Sequence, residues 1–383
     1  MKFNMSRENH RLVCDGIIKI DGDFWFSSFS ANGLMRVDGK TSQGQYVCSF
    51  PGQDMNHVRL YTVGTVYGTT IVLTPSEANA IALFDIHFKK LKMIPFPHRP
   101  IVDRKTWAGQ GARFREVLLY QNYAYFIPMN YRGILCLNLD TEELILIDEW
   151  IPVCDALTPK GSSDIYMGYS SVEGEIAYIP FSCADAILIL NMRTREVHVE
   201  RVDSGVQGFY GMMKIGDDIW LSPTQFDDIV CWNIKTKSIL RLHPDYDEKH
   251  EISPMYQPLQ LKNSLYFFPI FSNRMFRVDL QSKQLSVDHH FDFIFEAKRV
   301  KRSIGWDYVQ APSVIDGKLV FITAKDCIWH IYDPEDNSHE SIAVTPDDNC
   351  YKKLLEEEFK SGGDIFIESG ELGLRDYIGY VGQ

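Results

Sequence analysis

The chain has 383 residues, with 39 Lys or Arg against 51 Asp or Glu and a formal net charge of −12. That balance argues against general nucleic-acid binding, which needs a basic surface, and no apolar run approaches the roughly 20 residues of a membrane-spanning helix. Hydrophobic residues at 45% and charged residues at 23% are ordinary for a soluble globular chain, whereas 13% aromatic is high. The eight cysteines include no CxxC pair, which argues against a zinc ribbon or a thioredoxin-like motif. The first residues, MKFNMSRENHRLVCDG, lack the apolar core of a signal peptide. With cysteines set in apolar strand patterns, a reducing, cytoplasmic setting is expected.

Taken in order, the chain repeats one pattern. An aromatic-rich strand ends near Pro or Ser, a polar turn follows, and a second apolar strand closes on Asp or Asn. The copies begin at Asp23, Thr70, Tyr123, Ile176, Ile219, Leu265 and Leu319, and they close on Asp38, Asp85, Asn138, Asn191, Asn233, Asp279 and Asp333. The closing residues are spaced by 47, 53, 53, 42, 46 and 54. The fifth copy shows the full unit: strand A from Gly211 to Ile215, B from Ile219 to Ser222, C from Ile229 to Ile234 and D from Ser238 to Leu242. Four antiparallel strands in a meander make one blade, with Gly, Asn and Asp in the tight turns that need positive φ. Asp or Asn at the end of strand C reads as an Asx turn. Asn32, Asn79 and Asn273, at matching places in the B–C turns, also read as turn residues rather than ligand contacts.

Long connections run from Pro97 to Arg113, Val153 to Asp164, His243 to Pro254 and Phe291 to Asp307. They leave from the end of the blade that carries the B–C turns, and long loops on a rigid scaffold are where binding usually resides. After blade seven, Tyr351, Leu354, Leu355 and Phe359 fall at helical spacing up to Gly362-Gly363. A strand at Asp364–Ser369 and a second helix with Leu374, Tyr377, Ile378 and Val381 follow.

On these repeats, residues 14–345 resemble the seven-bladed β-propellers, in the broad kelch-like group. The Gly-Gly pair of kelch repeats and the Gly-His and Trp-Asp marks of WD repeats are absent. The resemblance implies an all-β propeller with a C-terminal helix-strand-helix appendage at 346–383, expected to pack on the ring, and it transfers no residue role.

Two candidate sites emerge. Tyr61, Phe114, Tyr166, Tyr210, Tyr256 and Tyr308 stand near the start of successive strands A. They either line a channel mouth, where aromatic faces suit sugars, or pack between blades; the two-residue period of the strand decides. The second site is basic: His98, Arg99, Arg104, Lys105, Arg113 and Arg115 precede or open blade three, and Lys298, Arg299, Lys301 and Arg302 precede blade seven. Trp107 and Trp306 lie in the same loops. Together they would suit a carboxylate or phosphate, or else are solvated loops.

Catalytic and phosphate-binding motifs are absent. His289 and His290, if on a strand, point to opposite faces and cannot share a metal, and His330 reads as a satisfied strand residue. No cofactor and no metal are expected. Two main functional readings remain open, besides that of a purely structural subunit in a larger assembly. One is a binding scaffold whose loop-rich face meets a protein partner or an anionic or sugar-bearing ligand. The other is a carbohydrate-active hydrolase, lyase or epimerase, which should gather charged residues such as Arg115, Glu116, Asp164, Asp307 and Gln310 at the strand-A starts.

Overall fold

The structure is a computed structural model that describes residues 12–29, 31–53, 59–99, 112–159, 166–246, 254–295, 308–324 and 326–361. Seven sheets follow one another along the chain, each a four-stranded antiparallel meander, and the first carries an added fifth strand. The strands of blade five are Phe209–Ile215, Asp218–Pro223, Ile229–Asn233 and Ile239–Leu242. Each strand expected for blade five is therefore present, with ends moved by one or two residues. Among the described residues helix is scarce: α1 spans Ile151–Leu157, α2 spans Asp348–Ser361, and a 3-10 turn covers His289–Ile294.

The repeated turn chemistry explains why the meander recurs. At the end of strand C, Asp38 Oδ1 accepts from the backbone N–H groups of Lys40 at 2.9 Å and Thr41 at 2.8 Å. Asn191 accepts from Arg193 and Thr194 at 2.9 and 3.0 Å, and Asp279 accepts from Gln281 and Ser282 at 3.1 and 2.8 Å. These bonds hold the carboxyls of Asp38, Asp85, Asp279 and Asp333 below the usual carboxylate range. In the A–B turns, Asp21, Gln121, Lys262 and Asp316 adopt positive φ, as do Gly68, Gly174 and Gly216. Asn32 and Asn79 have turn-bracing roles. Asn32 exchanges two bonds with the backbone of Phe50, and Asn79 exchanges two with the Gln53 amide.

The chain divides into two compact units, residues 1–95 with 299–383, and residues 96–298. The first holds blades one, two and seven. Phe26, Met35, Val320, Ile322 and Trp329 form one buried cluster there, and Trp25, Leu34, Tyr61, Leu73 and Phe84 form another. Thr345–Pro346 pairs in parallel with strand D of blade one (Gln43–Cys48), and α2 packs beside it, burying Cys350 and Leu354 in the first cluster. Leu12 N–H donates to Val344 O at 3.2 Å. Residues 364–381, with the last expected strand and helix, lie outside the described residues.

The second unit holds blades three to six, whose cores form between successive sheets: Tyr125, Trp150, Phe181 and Leu188; then Ile187, Met212, Leu221 and Trp232; then Trp220, Cys231, Leu265 and Phe276. Strands B and C are buried on both faces, so they read as continuous apolar runs, while strand D of blade five, with Ile239 and Leu240, is exposed. Helix α1 departs from the loop expected after Val153. Pro152 sits in its first turn, Trp150 caps its start by packing rather than by a side-chain hydrogen bond, and Ile151 and Cys154 face the core. His289 and His290 also depart from expectation. They open a 3-10 turn, where His289 bonds Asp292 and His290 bonds Asp288. His330 is a buried strand residue, bonded to Thr323 at 3.0 Å and to His339 at 2.8 Å.

Adjacent blades approach closely at Gly211. A Cβ there would lie 2.2 Å from Cβ and 2.7 Å from Cα of Gln257 on the next blade. Gly211→Ala must push backbone apart, and we expect it to cost about 1–3 kcal/mol, read from chemical denaturation. Unchanged stability would mean that these two strands do not meet as described.

Candidate functional site

The pairing partner of each strand-A residue fixes its register, and the six aromatics fall into three registers. Tyr61 faces Pro75 and Phe114 faces Pro128, as Phe209 faces Pro223 and Met255 faces Pro269. Tyr210 and Tyr256 therefore stand one residue further along. Tyr166 precedes Met167, which faces Phe181, and Tyr308 precedes Val309, which faces Thr323, so these two stand one residue earlier. Tyr61 packs in the core of its own unit and donates to Ala80 O at 2.9 Å. Tyr166 packs against Trp150, and its hydroxyl accepts from Arg132 at 2.8 Å.

Two of these strands A bulge at the same place. The register shifts between Ile127 and Pro128 in blade three and between Phe209 and Gly211 in blade five, which leaves Arg115 and Tyr210 as the extra residues. Bulges of this kind re-aim side chains, and they bring Arg115, Tyr169, Tyr210 and Tyr256 together. The Arg115 guanidinium is 1% exposed and lies 4.9 Å from the Tyr169 ring centroid and 4.6 Å from that of Tyr210. Its Nε donates to Met167 O at 3.0 Å. Tyr210 meets Tyr256 edge to face at 6.0 Å. A cation between two ring faces is held by their quadrupoles, strongly so when water is excluded.

The next residue, Glu116, is half-buried and accepts from Ser170 N–H at 2.6 Å. Burial pushes its carboxyl up to about 7, against the Ser170 bonds and the Arg115 charge, which both pull it down. Near neutral pH this carboxyl therefore both gives and takes a proton.

Of the remaining expected residues, Arg113 is half-buried beside this cluster in sequence, and Arg99 donates to Asp148 at 2.7 Å and to Arg132 O at 2.9 Å. Gln310 is buried in blade seven. Trp107, Arg299, Arg302, Trp306, Asp164 and Asp307 lie outside the described residues.

A second feature was not visible in the sequence. A cleft of about 560 Å³ opens between blades four and five, lined by Leu157, Asp185, Arg201, Asp203, Gln207 and Asp227 among others. Its walls are the B–C turns of both blades, the connection from strand D of blade four to strand A of blade five, and the end of α1. Asp185 accepts from Ser204 Oγ and Gly205 N–H, both at 2.8 Å, yet burial raises its carboxyl above the usual value. Asp203 and Gly205 adopt positive φ to make the turn between these acids. Arg241 bonds Asp227 and Asp228. Short acidic turn residues carry no periodic signal, so nothing in the sequence distinguishes these aspartates from ordinary turn formers. Among the described residues, no group of acidic, His or Cys side chains is arranged to hold a metal ion, and no helix is long and apolar enough to cross a membrane.

Because the folded pKa of Glu116 lies above its unfolded value, its contribution to stability is present at low pH and is lost as pH rises through about 7. Glu116→Gln should therefore raise the melting temperature at about pH 8.5 and change it little at about pH 5. A pH-independent shift in a thermal-melt series would show that Glu116 is not a desolvated carboxyl.

Solved structures share this architecture. Virginiamycin B lyase from Staphylococcus aureus has a TM-score of 0.58 at 13% identity, over 85% of this chain and 95% of its own. A streptogramin B lyase gives 0.58 at 14%, over 84% and 93%, and BamB from Moraxella catarrhalis gives 0.54 at 13%, over 82% and 83%. No family model and no curated protein sequence matches the chain. At these identities the likeness extends to the fold alone: the chain is a seven-bladed β-propeller.

Proposed function

We propose that this propeller is a non-enzymatic binding scaffold that meets a protein partner with the face carrying its B–C turns and D–A connections. The cleft between blades four and five is the observation that carries this reading. Its walls mix apolar Leu157, Pro159 and Val206 with Asp185, Asp203, Asp227 and Arg201, and Arg241 also bonds Asp227. This mixture of apolar and acidic side chains suits a chain segment bearing Lys or Arg, whose stem covers the apolar residues while its head meets the carboxylates. The cleft favours a protein segment over a small anion, because its acids repel anions and the described Arg99 already bonds Asp148. Eight cysteines without a disulfide support a reducing compartment such as the cytoplasm.

A second reading, a carbohydrate-active enzyme, draws support from Glu116, whose carboxyl at about 7 sits beside Arg115 and tyrosines at the strand-A starts. A general acid needs such a value. On that reading Glu116→Gln abolishes turnover of a glycoside substrate while the fold persists.

The scaffold reading is tested by placing a photo-crosslinking side chain at Gln207, in the cleft, or at Lys235, in the C–D turn at the other end of blade five. A panel of Lys- and Arg-bearing peptides should crosslink from position 207 and not from 235. Asp185→Asn with Asp203→Asn should weaken peptide binding by about tenfold or more in fluorescence anisotropy. Equal crosslinking from both positions, or unchanged affinity in the double variant, would sink the proposal.

A further inference from the structure

Cys154 lies on α1 and Cys183 in the B–C turn of blade four; both are fully buried, with their sulfur atoms 3.6 Å apart. The two residues are 29 apart in sequence and belong to one buried cluster. Other buried cysteines have different neighbours: Cys350 Sγ contacts Met35 Sδ at 3.9 Å, and Cys231 Sγ lies 4.0 Å from Lys283 Nζ. Thr158 Oγ donates to Cys154 O at 2.8 Å and lies 3.4 Å from Cys183 Sγ, so the end of α1 is folded onto the pair. Leu157 and Pro159, on either side of Thr158, line the open cleft, as does Asp185, two residues beyond Cys183. Residues close in sequence to both cysteines thus line the cleft.

We propose that Cys154 and Cys183 form a reversible disulfide that clamps α1 to blade four. A disulfide holds its sulfurs about 2.05 Å apart, so the pair must close by roughly 1.5 Å. With a hydroperoxide as oxidant, one thiolate attacks a peroxide oxygen and the O–O bond breaks. This leaves a sulfenic acid and, for hydrogen peroxide, releases hydroxide that is protonated to water. The second sulfur then attacks the sulfenic sulfur, the S–O bond breaks, and a second water leaves. Two thiols and one hydrogen peroxide give one disulfide and two waters: the sulfurs are oxidised and the peroxide is reduced. The neighbouring Cys183 sulfur, followed by burial, pushes the Cys154 thiol up, so thiolate is scarce and the reaction is slow. This inference goes beyond the scaffold reading and does not depend on it.

The test treats the full chain with hydrogen peroxide under native conditions, then alkylates and maps it without reduction by mass spectrometry. The expected result is loss of two hydrogens from the intact mass and a crosslinked peptide containing Cys154 and Cys183. The melting temperature should rise by roughly 3–6 °C, and a dithiol reductant should reverse both changes. Cys154→Ser and Cys183→Ser should each abolish the crosslink. The wild-type map alone decides the matter if either variant fails to fold. A map in which both thiols stay reduced, or in which either pairs with another cysteine, would overturn the proposal.

Discussion

The fold depends on apolar contact between neighbouring sheets. Among the described residues, cores form between blades: Trp220 on blade five packs with Leu265 and Phe276 of blade six, while Trp232, from the same blade, packs with Ile187 of blade four. Strands B and C are covered on both faces for this reason, and their aromatic content follows from it, since flat rings fill the gap between twisted sheets. A blade removed from its neighbours would expose both of these faces.

That constraint also explains what the sequence made legible. Strands B and C, buried on both sides, stand out as apolar runs, and the residue ending strand C is repeatedly one whose side chain can bond the backbone beyond it. The blade count and the turns could be read from those two signals. The strand-A register could not. Arg115 and Tyr210 owe their position to bulges that insert a single residue, and a one-residue shift reverses the face a side chain takes. The aromatic positions expected as one ring fall into three registers, set apart by single residues. Helix α1 was equally hidden, because seven residues are too few to display helical periodicity and its start lacks a polar cap.

The Arg115 cluster and the cleft represent two ways of using one end of a blade. Arg115 is enclosed by rings and bonded to Met167 O, so the cluster is largely dehydrated. The cleft is made largely from turns that carry both carboxylates and apolar side chains. Adjacent strands place Glu116 beside the first of these, and the cost of its desolvation is offset by the Ser170 amide and the Arg115 charge. A buried, partly compensated carboxyl is costly to the fold and is the kind of group found at sites that bind or react.

The backbone bond between Leu12 and Val344 brings the beginning and end of the blade path side by side. The genetic order of the blades is then one choice among several compatible with the same contacts. A circular permutant, opened at a turn between blades and joined near this point, would keep blade one packed on blade seven through Phe26, Met35, Val320 and Trp329.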